Sequence, residues 1–351
     1  MVLPEWAPTP ALTVLGFILS AFAVIFAGVR LARHGDVIAA RTRLGRLWVG
    51  SLFLALATSL PELTTDIAAV RLGAPNLAAG DLFGSSMANM LILALVSLVP
   101  GAELFRRAAL DNGLSASLAI ALTATAALLV VIRPQEAVLG IGYGSLVLGI
   151  GYVAGMWAVY RNSRLAQQAL ETEELTSGNA APSLDSGPGK SPALRTVVVG
   201  FLLAGAVVLI AAPVFAFSAK RLAELTGLGQ SFVGTWLVGF ATSLPELVTS
   251  LAAVRMGAYD LAVGNLFGSN AVNMVMFLPL DVANGGRPFL TSVSSVHVLS
   301  ALVAIVLMAI GHATIVYRSK NRVAGLEPSG ALMLLVYFVG LGLVYLYRGL
   351  R

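Results

Sequence analysis

Two glutamates stand where carboxylates are rare. Glu62 and Glu246 each follow a proline in the same heptapeptide, ATSLPEL, inside a long apolar run. A carboxylate at membrane depth costs roughly 2.5–3.5 kcal/mol on insertion scales. Two of them repel each other unless positive charge lies between, and a bound divalent cation supplies it. Hard cations such as calcium take oxygen from carboxylates, carbonyls, amides and water. Pro61 and Pro245 free such carbonyls. Each lacks an N–H, and each ring clashes with the carbonyl four residues back, Ala57 or Ala241. Helices are expected to break there, and carbonyls freed in hydrocarbon must face protein, water or an ion. Thr58, Ser59, Thr242 and Ser243 add hydroxyls at the break, and they equally suit the N-cap of the half-helix that follows.

A second set of oxygens follows each glutamate. Ser85 with Asn89, and Ser269 with Asn273, are spaced i, i+4, which puts each pair on one helix face. Gly80 and Gly84, like Gly264 and Gly268, form GxxxG, a pattern that lets membrane helices pack closely. Close packing would carry the Ser/Asn face to the broken helix. Ser86 and Asn270 lie one residue off that face. Asp66 lies one turn beyond Glu62, to line an entry path or to pair with Arg71. Asp281 is expected at the interface. His34, His297 and His312 are scattered and make no metal motif.

These residues belong to an internal repeat. Residues 50–90 and 234–274 align without a gap, and 24 of 41 positions are identical. Apolar composition alone does not produce the shared ATSLPEL, AAVR and LFGS blocks. Asp66 and Asp81 break the symmetry, since Ser250 and Asn265 stand at the matching positions.

The elements that must position the repeats are membrane helices. Of 351 residues, 58% are hydrophobic and 11% charged, against roughly 25% charged in soluble domains. Ten apolar runs approach the ~20 residues needed to span a bilayer: 11–30, 47–70, 77–99, 114–132, 137–158, 196–216, 229–254, 260–280, 294–311 and 329–347. Basic residues follow the first run rather than precede it, so it reads as a span and not a signal peptide. The polar stretch 161–194 is a linker. It separates a first five-helix half, 1–160, from a second, 195–351. Most of the 22 Lys and Arg fall on one face if both termini lie outside and the linker is cytoplasmic, as the positive-inside rule requires. That distribution accounts for the net charge of +5 without any nucleic acid. Five spans separate the copies, so they run in opposite directions. The expected fold is an all-α polytopic membrane protein of ten transmembrane helices in two inverted five-helix repeats, with its site where the repeats meet. The absence of cysteine excludes thiolate metal sites, disulfides and Cys nucleophiles. No Ser/His, Ser/Lys or metal motif at membrane depth suggests an enzyme.

At TSLPE with GDLFGSSMAN, and TSLPE with GNLFGSNAVN, the chain resembles the cation/calcium antiporter superfamily, the sodium/calcium exchangers of prokaryotic type. The two repeats cover about a quarter of the chain, and the ten-span layout extends the likeness to nearly all of it. The resemblance implies alternate occupancy by the transported ions, calcium and sodium, with no cofactor. It implies Glu62 and Glu246 as bidentate calcium ligands, joined by the carbonyls of Thr58 and Thr242. Sodium would use Ser59, Ser85, Ser243 and Ser269 with the carbonyls of Ala55 and Gly239, and Asn89 and Asn273 would complete the centre. Spans one and six would slide over a rigid core. Many members carry Asp at one central Asn position. This chain has Asn at both, so the motif core keeps two carboxylates, which balance one calcium or two sodium ions. The expected partners are calcium, sodium (or protons) and the lipid bilayer. The expected setting is the inner cell membrane, and the expected functional unit a monomer. A calcium/proton exchanger is the rival reading. A cation channel or a non-transporting scaffold is a rival of another class.

Overall fold

The computed structural model describes residues 9–41, 55, 58–98, 104–107, 111–177, 194–317 and 328–348. Most of the expected second span before Thr58, and residues 178–193 of the expected linker, lie outside the described residues. The helices are α1 (Pro10–Arg41), α2 (Leu60–Arg71), α3 (Pro75–Ser97), α4 (Asp111–Ile132), α5 (Tyr143–Ser177), α6 (Leu194–Thr226), α7 (Gln230–Thr242), α8 (Leu244–Arg255), α9 (Tyr259–Ala283), α10 (His297–Tyr317) and α11 (Pro328–Leu346). Among the described residues, eight helices are long and apolar enough to cross a membrane, or nine if the bent pair α7 and α8 is one span. The protein is an integral membrane protein.

Burial separates two kinds of span. The span window of α3 is 94% buried and that of α9 is 72%, whereas those of α1, α5, α6 and α11 lie between 22% and 33%. The outer helices therefore turn apolar side chains such as Phe22, Ile150, Ile210 and Leu335 outward, where lipid is the solvent. The central helices hold the polar residues. Helix α3 packs against α2, α7, α9, α10 and α11.

The two copies fold alike. Helices α2 and α8 each run twelve residues, begin with a proline in the first turn and follow a serine, Ser59 or Ser243, with nearly the same backbone angles. Each ends in a glycine with positive φ, Gly73 (70°) or Gly257 (75°), where a side chain would be strained. The expected helix break is a bend. Helices α7 and α8 meet at 41°. The ladder resumes on both sides of Pro245, since Ser243 N–H donates to Gly239 O (3.3 Å) and Leu247 N–H to Ser243 O (3.2 Å).

Close approach of the copies depends on glycine. A Cβ built at Gly80 would lie 2.8 Å from the Ser231 carbonyl, and one at Gly239 would lie 2.7 Å from the Ser85 nitrogen. Gly84 and Gly234 face Thr235 and the Leu77 carbonyl more tightly still. The GxxxG of α3 thus docks against α7, whose residues Gly234–Val238 form a π-helical turn. Gly268 instead faces the Ala55 side chain.

One sequence expectation needs correction. Residues 137–142 do not begin a span. Ala137–Val138 and Ile141–Gly142 form an antiparallel hairpin, so the described residues are helical with one short ladder, and α5 starts at Tyr143. Asp281, near the end of α9, is fully buried in the protein. Its carboxylate accepts from Gly142 N–H (2.8 Å) and Phe289 N–H (2.6 Å), pinning the hairpin and the loop after α9 to one point. Asp281→Ala leaves two buried donors unmet, at about 1–3 kcal/mol each. It should lower the melting temperature of detergent-solubilised protein by several degrees, and Asp281→Asn by less. An unchanged melting curve would remove the pin.

Candidate cation site

The buried polar residues of both copies meet around α2, α3 and the bent pair α7 and α8. Thr58, Ser59, Glu62, Ser85, Asn89, Thr242, Ser243, Glu246, Ser269 and Asn273 are all at most 1% exposed. Glu62 and Glu246 are electrostatic neighbours, and Glu246 also accepts a hydrogen bond from the Thr58 side chain. Ser269 Oγ lies 3.5 Å from Glu246 Oε1. Glu246 therefore touches both its own repeat and the other.

Contacts across the repeats continue on the far side. Ser85 Oγ donates to the Gly239 carbonyl (3.2 Å) and lies 3.3 Å from Thr242 Oγ1. Within the first repeat, Thr58 Oγ1 lies 3.1 Å from the Ala55 carbonyl. Asn89 Nδ2 donates to Asn270 Oδ1 (2.9 Å), so a residue placed one position off the expected face is the partner of a central asparagine. Ser59, Ser243 and Asn273 are buried, and their side chains make no hydrogen bond.

One residue missed as a hub is Asp81. Its Oδ1 accepts from Ser85 Oγ (3.0 Å) and from Thr242 Oγ1 (2.9 Å). The i, i+4 spacing of Asp81 and Ser85 was the signal. Among the described residues Asp66 does not pair with Arg71, which is exposed; its carboxyl meets that of Asp81 instead.

What remains unmet is mostly acceptor oxygen. Glu62 Oε2, Glu246 Oε2, Asp81 Oδ2, Ser59 Oγ, Ser243 Oγ and Asn273 Oδ1 are buried without a partner. Native interiors leave few such atoms, and each calls for an ion, water or ligand. Among the described residues, no Lys, Arg or His pairs with the glutamates. Nor do three acidic or imidazole groups converge closely enough to hold a metal by themselves. A cation here must mix carboxylate with hydroxyl, amide and carbonyl oxygen, the donor set of a hard ion.

Fold and site define a polytopic membrane protein whose two repeats meet around a buried cluster of oxygen-bearing side chains. The family model described as sodium/calcium exchanger protein matches residues 12–167 and 196–346. The chain belongs to that family, within the cation/calcium antiporter superfamily. It is 29% identical over 276 residues to the inner membrane protein YrbG of Escherichia coli, covering 77% of this chain and 78% of that one. Its fold matches the H+/Ca2+ exchanger CAX at a TM-score of 0.67, with 14% identity and coverage of 95% and 86%. It also matches the sodium-calcium exchanger NCX_Mj at 0.59, with 21% identity and coverage of 94% and 98%.

Proposed function

We propose that this protein exchanges calcium for sodium by alternating access. One observation carries the reading: two buried glutamates, one from each repeat, are close neighbours with unpartnered oxygens, and among the described residues no basic side chain pairs with them. Calcium at Glu62 and Glu246 satisfies both carboxylates. Sodium ions competing for the same oxygens expel it. The ligand set is Glu62, Glu246, Ser59, Ser85, Ser243, Ser269, Asn89, Asn273 and the carbonyls of Thr58, Thr242, Ala55 and Gly239. The cluster's burial and the cross-repeat contacts of Ser85 and Asn89 support it.

The topology we propose has ten spans in two inverted halves, 1–160 and 195–351, with both termini outside and the linker 161–194 cytoplasmic. The protein works as a monomer in the inner cell membrane. The Lys/Arg distribution supports the orientation, and the YrbG likeness supports the membrane. Sodium rests on the family description, since the fold is shared with an H+/Ca2+ exchanger as well as with a sodium-calcium exchanger.

The decisive experiment imposes one gradient at a time on calcium-loaded proteoliposomes. A sodium gradient should drive calcium across, and a pH gradient alone should not. Flux driven by the pH gradient alone would make the protein a calcium/proton exchanger, and gradient-independent currents would make it a channel.

A further inference from the structure

The two central asparagines are held differently. Asn89 and Asn273 occupy matching positions in the two repeats, and both are buried. Asn89 Nδ2 donates to Asn270 Oδ1 across the repeats (2.9 Å), while Asn89 Oδ1 has no hydrogen-bond partner. Asn273 has no such anchor, since neither its Oδ1 nor its Nδ2 has a hydrogen-bond partner. The difference traces to one change between the copies. Asn270 of GSNAVN stands where GSSMAN has Ser86. The Ser86 side chain is shorter, and its Oγ donates to the Leu82 carbonyl of its own helix (3.0 Å). Its proton is committed within α3, so Ser86 gives Asn273 no counterpart of the Asn270 anchor.

An amide has two unlike ends. Its oxygen accepts and can ligate a cation, whereas its NH2 only donates. The last side-chain torsion of asparagine is broad, so a buried asparagine without partners can turn either end to an ion. Fixing the Asn89 NH2 on Asn270 fixes where the Asn89 oxygen lies. The anchor also sits beside the site rather than in it. Ser269, the residue before Asn270, places Oγ 3.5 Å from Glu246 Oε1. Helix α9 therefore sends one residue to the glutamate of its own repeat and the next to the asparagine of the other.

We propose that Asn270 is a positioning residue for the cation site: it grips the Asn89 amide from across the repeats so that the oxygen, not the NH2, faces the ion. Asn89 is then a ligand set before the ion arrives, and Asn273 is one that must turn to meet it. The proposal rests on the reading of Asn89 as a cation ligand given above, and not on which ion drives calcium.

The test is Asn270→Ser, which writes the first repeat's own residue into the second. Equilibrium calcium binding is measured on purified protein, and radiolabelled calcium flux in proteoliposomes. The calcium concentrations for half-maximal binding and half-maximal flux should both rise about tenfold, as when a partner that orients a metal ligand is removed, with the maximal rate little changed. Ser86→Ala, at the matching position, should leave both nearly unchanged. In an Asn89→Ala background, Asn270→Ser should cost no further affinity, because it acts through Asn89. Asn270→Leu, of similar size but without an acceptor, should repeat the loss, and Asn270→Asp, which keeps the acceptor, should retain at least wild-type affinity. That pair covers the case in which Asn270→Ser does not fold. Additive losses with Asn89→Ala, an equal loss in Ser86→Ala, or wild-type affinity in Asn270→Leu would overturn the proposal. So would a fall in maximal rate at unchanged affinity. Absence of calcium binding and flux in the wild type would overturn the exchange reading and this inference together, whereas additive losses in a protein that binds calcium overturn this inference alone.

Discussion

Glu62→Gln and Glu246→Gln should each lower calcium flux by about two to three orders of magnitude. Glutamine keeps the shape of the side chain, removes its charge and replaces an acceptor oxygen with a donor NH2. In water the exchange would matter little. Here both glutamates are at most 1% exposed, and each presents an oxygen that no protein donor satisfies. Removing one partner of a buried charge pair costs about 3–5 kcal/mol, and each 1.4 kcal/mol is tenfold in affinity. The two variants should be comparably severe, because each removes half of the negative charge facing the ion. They differ in their surroundings. Glu246 has Thr58 and Ser269 against it, so Glu246→Gln also disturbs a contact between repeats. Radiolabelled calcium uptake and equilibrium calcium binding should fall together. Flux within tenfold of wild type for either variant would remove that glutamate from the cation site.

Gly28→Leu should block transport while sparing calcium binding. A Cβ built at Gly28 would lie 2.8 Å from Pro245 Cγ and 3.1 Å from Pro61 Cγ. One residue of α1 therefore sits against the repeat prolines of both copies. Proline rings are rigid, so neither neighbour yields as a long flexible side chain would. Helix α1 packs along α6, and α1 also touches α8 while α6 touches α2. The α1–α6 pair thus lies across the glutamate-bearing helices of both copies. Any sliding of that pair over the core must carry Gly28 past the prolines. Overpacking costs about 1–3 kcal/mol, which corresponds to roughly ten- to hundredfold in rate. Gly28→Ala should be milder. The informative readout is the split between binding and flux. Near-normal flux in Gly28→Leu would show that α1 does not move against the prolines.

Much of this site was legible in one dimension because its chemistry is local. A proline followed by a glutamate inside an apolar run is unusual by itself, and its recurrence with the same neighbours makes it a repeat. Ser59 and Ser243 before the helices, and Gly73 and Gly257 after them, carry the same backbone roles in both copies. The i, i+4 rule put Ser85 and Asn89 on one face, and both are buried in contact with the other repeat. What the order did not reveal was long-range. Asp281 stands at a span's end, and its partners are the amides of Gly142 and Phe289, one of them in a distant hairpin. Asn270 looked misplaced by one residue, yet it meets Asn89 because α3 and α9 cross there.

The amino-acid order alone determined that the chain is a membrane protein, that it carries two copies of one acidic unit, and that the second unit bends at its proline. Hydropathy, repetition and the missing N–H of proline act within a few residues, so they need no fold to be read. Only the tertiary structure decided which oxygens face one another. It joined Thr58 to Glu246, Ser85 to Gly239 and Thr242, and Asp66 to Asp81. Those pairings depend on how closely helices approach, and the approach is set by glycines such as Gly80 and Gly239, where a single Cβ would collide with the facing backbone.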